Sequence, residues 1–186
     1  HESNIKCSEL KSNIKELFVD ESEIALFYFA GHGHLETFGG YLVTSDSEVG
    51  DDGINLDYLL KIVNSSKAKN KIVILDSCHS GMMGETSVNT SQIANGVTIL
   101  TASSKDQYAS EENNSGVFTN LFVDALQGSA SNLLGQVTPG SIYAHIDQSL
   151  GSWEQRPIFK TNVVNFVNLR NVNPPISLSD LRKIIE

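Results

Sequence analysis

Ile72-Val73-Ile74-Leu75-Asp76-Ser77-Cys78-His79-Ser80-Gly81 reads as a buried strand that ends in a loop of small polar residues. Four branched apolar residues in succession suit a strand covered on both faces, as strands of a parallel sheet are. Ile24-Ala25-Leu26-Phe27-Tyr28-Phe29-Ala30 has the same form and runs into Gly31-His32-Gly33-His34. It too is expected to be buried on both faces. Val97-Thr98-Ile99-Leu100-Thr101-Ala102 gives another strand, Tyr41-Leu42-Val43 a short one, and Val163-Val164-Asn165-Phe166-Val167 a final one.

Helical periodicities fall between these runs. Cys7, Leu10, Ile14, Leu17 and Phe18 recur at three and four residues and share one face. Leu56, Leu59, Leu60 and Val63 mark a second helix, with Asn55 as its cap. Phe118, Leu121, Phe122 and Ala125 give a third, started by Ser115-Gly116. Ser141 reads as the cap of a fourth, which carries Ile142, Ile146 and Leu150. Strands alternating with helices predict an α/β domain.

The whole chain narrows the function. Its 186 residues suffice for one sizeable core. With 40% hydrophobic and 19% charged residues it has a globular composition. No run approaches the ~18 apolar residues of a membrane span, so no membrane partner is expected. A net charge of −9 argues against nucleic acid, which calls for a basic surface. Cys7 and Cys78 are too few for a disulfide framework and have no metal-ligand spacing, so a reducing, cytoplasmic location is expected. Cys7 belongs to the apolar helical face and reads as core.

In open α/β sheets the site lies beyond the carboxyl ends of the strands. Two such ends carry His32 and Cys78. If their strands are parallel neighbours, both loops leave the same sheet edge. A Cys-His pair suffices for acyl transfer: the thiolate attacks a carbonyl, and the imidazole protonates the leaving amine and later activates water. The backbone amides of Gly33 and Cys78 are the candidates for an oxyanion hole.

Phe27-Tyr28-Phe29-Ala30-Gly31-His32-Gly33 and Asp76-Ser77-Cys78-His79-Ser80-Gly81 resemble the two signature segments of the metacaspase branch of caspase-like cysteine peptidases. The similarity extends through Ala102-Ser103-Ser104, Gln107 to Glu111, Gly116-Val117-Phe118-Thr119 and Gln155-Arg156-Pro157, and spans roughly residues 5 to 170. The Gln-Ala-Cys segment of true caspases is absent. The resemblance implies a caspase-like three-layer sandwich with a mostly parallel six-stranded sheet between helices. It implies a Cys78/His32 dyad, peptide-bond hydrolysis and no organic cofactor. His34 and His79 neighbour the dyad without belonging to it.

By the same resemblance, Asp76 lies in the pocket for the residue before the cut bond, with Glu111 and Ser103 as further substrate-binding residues. A carboxylate there selects Lys or Arg. The three arginines, Arg156, Arg170 and Arg182, all follow the site loops, which disfavours a pocket for Asp. The family also includes calcium-dependent members. Asp46, Asp51, Asp52, Asp57 and Glu85 are the candidate calcium ligands, although no spacing among them specifies a cage. The dyad itself requires no metal.

The domain is expected over residues 1–170. Asn171-Val172-Asn173-Pro174-Pro175 then reads as a linker, and residues 171–186 as linker plus the start of a following segment. The family's first strand should precede the helix at Cys7, and none is seen. Together with an initial histidine, this suggests a processed chain whose first strand comes from an upstream fragment. The leading expectation is a Lys/Arg-directed endopeptidase for limited proteolysis in signalling, cell death or defence. The alternatives are a non-catalytic caspase-fold interaction module and a Cys-His enzyme acting on a non-peptide acyl group.

Overall fold

The computed structural model describes residues 4–36, 39–48, 50, 52–77, 93–102, 111–112, 115–151 and 156–185. Asp51, Cys78, His79, Glu85, Ser103 and Gln107 lie outside them. The chain forms two compact units: His1–Ala109 with Gln155–Asn165, and Ser110–Glu154 with Phe166–Glu186.

In the first unit α1 (Cys7–Val19) leads into β1 (Ile24–Gly31). A small antiparallel sheet follows, made of β2 (Gly33–Glu36), β3 (Gly39–Leu42) and β4 (Ile54–Asn55). Then come α2 (Leu56–Ser65), β5 (Asn70–Ser77) and β6 (Val97–Thr101). The main sheet has the order β1-β5-β6-β10, where β10 is Ile158–Thr161. β1, β5 and β6 are parallel, and β10 runs antiparallel to β6. The fold is therefore α/β with a mostly parallel sheet flanked by helices. Four of the six strands that the family resemblance implies are present in it among the described residues.

One core unites the two helices with one face of the sheet. Cys7, Leu10, Ile14 and Phe18 of α1 and Leu56, Leu59, Leu60 and Val63 of α2 pack on Ala25, Phe27, Val73, Leu75, Val97 and Ile99. Burying each Leu, Ile or Phe contributes about 1.5–3 kcal/mol. Cys7 is a buried free thiol, as its place on the apolar face predicts. Asn55 caps α2 as expected: its Oδ1 accepts hydrogen bonds from the amides of Asp57 at 2.9 Å and Tyr58 at 3.2 Å.

Three local expectations need correction. First, β1 is not buried on both faces. Ala25 and Phe27 are buried, whereas Ile24, Leu26 and Tyr28 on the opposite face are 38–40% exposed. β1 lies at the edge of the sheet, and no strand pairs with its outer side among the described residues. Second, the last sheet strand is Ile158–Thr161 rather than the run 163–167, where Val163, Val164 and Phe166 are exposed. The pairing is set by cross-strand bonds: Thr98 and Thr161 share a hydroxyl hydrogen bond of 2.9 Å, and the amide of Asn162 donates to the Val97 carbonyl at 2.8 Å. Third, the fourth predicted helix is capped by Thr138 rather than Ser141, as described next.

In the second unit a hairpin of β7 (Glu111–Glu112) and β8 (Ser115–Gly116) precedes α3 (Val117–Asp124), which continues into a π-helical turn at Ala125–Ser129. β9 (Gln136–Val137) pairs antiparallel with β11 (Arg170–Asn171), and α4 spans Pro139–Ser149. α4 starts with a reciprocal capping box. The Thr138 hydroxyl accepts from the Ser141 amide at 3.1 Å, and the Ser141 hydroxyl accepts from the Thr138 amide at 2.9 Å. Pro139 sits in the first turn, where its missing N–H costs nothing. α5 (Leu178–Ile185) closes the chain. No helix among the described residues is long and apolar enough to cross a membrane.

Candidate active site

The parallel pairing of β1 with β5 fixes the geometry of the site. Ala30 lies opposite Asp76, and Gly31 opposite Ser77, so the two strands end level at their carboxyl edge. The residue after Gly31 is His32, exposed between β1 and β2. The residue after Ser77 is Cys78, which lies outside the described residues. The carbonyl of His32 accepts from the amide of Val43 at 2.9 Å, which ties the loop to the end of β3. Gly33 opens β2 and is half-buried.

Asp76 is half-buried on β5. Strand alternation puts it on the same face as Ile74, and Tyr28 stands opposite Ile74 in the register. Tyr28 therefore reaches Asp76 along the diagonal, and its hydroxyl donates to Asp76 Oδ2 at 3.1 Å. This contact was missed at the level of sequence, where Tyr28 was one apolar residue in a run. Glu111 opens β7 in the second unit; its side chain and Ser103 lie outside what is described.

The candidate calcium ligands separate. Asp46 Oδ1 accepts from the amide of Cys7 at 2.8 Å and from the hydroxyl of Thr44 at 2.9 Å. It thereby satisfies a free N–H at the start of α1, whose own N-cap residue Lys6 offers no side-chain bond. These donors hold its carboxyl below the ordinary carboxylate range, the Cys7 amide first. Asp57 lies in the first turn of α2. Asp46, Asp52 and Asp57 do not converge on one point among the described residues. Asp52 instead approaches His34 and Glu36, two residues outside the calcium expectation.

One charged group of the first unit stands apart from this edge. Lys71 is the second residue of β5, at the opposite end of the strand, and its Nζ donates to the Asn95 carbonyl at 2.6 Å. Burial pushes its amino group below the usual lysine range. In the second unit His145 Nε2 lies 2.8 Å from Asp124 Oδ2, joining α4 to α3.

The sequence matches the family described as the caspase domain over residues 1–167. The fold resembles the crystal structure of a protein from Geobacter sulfurreducens, with a TM-score of 0.61 at 14% identity, over 85% of this chain and 74% of that one. At that identity the likeness concerns the fold alone. No curated protein matches the chain.

Proposed function

We propose that this chain, which belongs to the caspase-domain family of cysteine peptidases, is an endopeptidase of the metacaspase branch that cuts after Arg or Lys. Cys78 is the nucleophile and His32 the acid/base. The single observation that supports it most is the register of β1 on β5, which ends both strands together with His32 and Cys78 next in sequence. Two loops that leave one sheet edge from adjacent parallel strands are close enough to share a substrate.

The chemistry follows from those two residues. Cys78 Sγ attacks the carbonyl carbon of the cut bond, and its proton passes to His32. The carbonyl oxygen takes the charge, with the amides of Gly33 and Cys78 as donors to it. His32 then protonates the leaving amine, and the C–N bond breaks to give a thioester. Water, deprotonated by His32, attacks the thioester; the acid leaves and the thiol is restored. No step needs a metal. A thiol nucleophile suits a reducing cytoplasm. The half-buried carboxylate of Asp76 supplies the charge that selects a basic side chain, and limited proteolysis of protein partners is the biological role.

A panel of labelled peptides with Arg, Lys, Asp or a neutral residue before the cut bond tests this reading. Turnover of Arg and Lys peptides alone is expected. Preference for Asp would overturn the pocket assignment, and turnover of none would favour a non-catalytic interaction module.

We also propose that the outer edge of β1, on which no strand pairs among the described residues, receives a further strand from an upstream fragment of the same protein. The support is the exposed apolar row Ile24, Leu26 and Tyr28 on an edge strand. Such an edge is prone to pair with other chains. Residues 1–186 alone should therefore self-associate as concentration rises in sedimentation velocity, and Leu26→Lys should restore a monomer. A native chain that stays monomeric at every concentration would refute the open edge.

A further inference from the structure

We propose that His34, Glu36 and Asp52 form a binding site for a divalent cation of the zinc class, which clamps the β2 hairpin to the loop before β4. One nitrogen or oxygen atom from each residue lies within 4.8 Å of the others. His34 Nε2 already stands 2.9 Å from Glu36 Oε1. Zinc bonds of about 2.0–2.2 Å put neighbouring ligand atoms roughly 3.0–3.5 Å apart, so small side-chain rotations close the set around an ion.

The backbone holds the three ligands in place. His34 and Glu36 are two residues apart on β2 and so project from one face. They are fixed by pairing with β3, His34 opposite Tyr41 and Glu36 opposite Gly39. Asp52 arrives from the far end of the β3–β4 loop and is half-buried. The next residue, Gly53, has φ of +98°, and a Cβ there would stand 2.2 Å from the Leu42 carbonyl oxygen. Only glycine makes this close turn, and the turn delivers Asp52 toward β2. Both ends of the loop are anchored, by the Val43–His32 backbone bond at one end and the Leu42–Ile54 pairing at the other.

The donor set decides the metal. One imidazole and two carboxylates suit zinc and its transition-metal neighbours. Calcium takes six to eight oxygens and has no use for the imidazole. Three protein donors leave coordination positions for water. The clamp would begin two residues beyond His32, on the strand that starts at Gly33. It is separate from the peptidase reading, because it requires neither Cys78 nor cleavage.

Calorimetry with zinc chloride on the Cys78→Ala protein tests it, because removing the thiol removes the competing thiolate ligand. One equivalent of zinc should bind, and the midpoint of thermal unfolding should rise with zinc as binding to the folded state requires. His34→Gln and Asp52→Asn, made in the same background, should each weaken zinc at least tenfold while leaving the metal-free midpoint in place. Millimolar calcium should not displace the zinc. Absence of saturable zinc binding would overturn the proposal. So would equal affinity in either variant, since the clamp needs a ligand on each side. Loss of peptidase activity in the parent protein would leave these isotherms unchanged and would bear only on the enzymatic reading.

Discussion

Cys78→Ala is expected to abolish peptide hydrolysis and to leave folding intact. The expected fall in kcat/KM for an Arg peptide is at least ~10⁴-fold, because a nucleophile and its acid/base act as a unit and losing either removes the covalent route. His32→Ala should fall almost as far, and the double variant no further. This non-additivity is the signature of a dyad and would not arise from two independent structural contacts. Stability should hardly change in His32→Ala, since His32 is exposed and its carbonyl bond from the Val43 amide survives the substitution. Surface changes of this kind are usually worth within ~0.5 kcal/mol. Hydrolysis in Cys78→Ala at even a tenth of the parent rate would remove Cys78 from the mechanism.

The helices and the central strands were legible because their signals are local. Apolar residues at three and four positions apart place α1 and α2, and the Asn55 cap follows from its short side-chain oxygen next to Leu56. The apolar runs 72–75 of β5 and 97–100 of β6, the latter interrupted only by Thr98, are buried along their length. β1 has the same composition and a different fate. Ile24 and Leu26 are as apolar as Ile72 and Ile74, and composition does not say whether a second layer or a neighbouring strand covers them. The run at 163–167 has more β-branched residues than Ile158–Thr161. Pairing went to the latter because Thr161 and Asn162 meet partners on β6. Propensity here yields to a cross-strand bond, which no window of one sequence contains.

The site divides in the same way. His32 and Asp76 could be placed from sequence because each lies at the end of an apolar run, and parallel pairing brings such ends level. The tie from Tyr28 to Asp76 depends on register, which a one-residue slip would have destroyed. Asp46 read as a metal candidate because acidic loops look alike in sequence. Its partner is an amide distant along the chain, at the start of α1. His34, Glu36 and Asp52 were likewise separate until the β3–β4 loop folded back on β2.

Asp76→Ala is expected to remove turnover of Arg and Lys peptides and to spare the reactivity of the thiol. A carboxylate that pairs with a guanidinium forms two parallel charge-assisted bonds, and leaving one partner without the other costs about 2–5 kcal/mol. That range corresponds to a fall in kcat/KM of roughly 30- to 5000-fold. Asp76 is half-buried, so water offsets part of the loss and the lower half of the range is expected. The competing explanation is structural: Asp76 would merely accept the Tyr28 hydroxyl and finish β5. Two variants separate these roles. Asp76→Asn keeps the size and an acceptor for Tyr28 but loses the charge, so selectivity for Arg over a neutral residue should collapse as in Asp76→Ala while the unfolding midpoint holds. Tyr28→Phe removes the hydrogen bond and keeps the charge, so it should lower Arg turnover only a few-fold and preserve the preference for a basic residue. Alkylation of Cys78 by iodoacetamide reports the thiol independently of the pocket and should proceed at parent rates in all three proteins. If Asp76→Asn keeps the parent preference for Arg and Lys, the charge is not what selects the substrate, and the selecting group lies elsewhere.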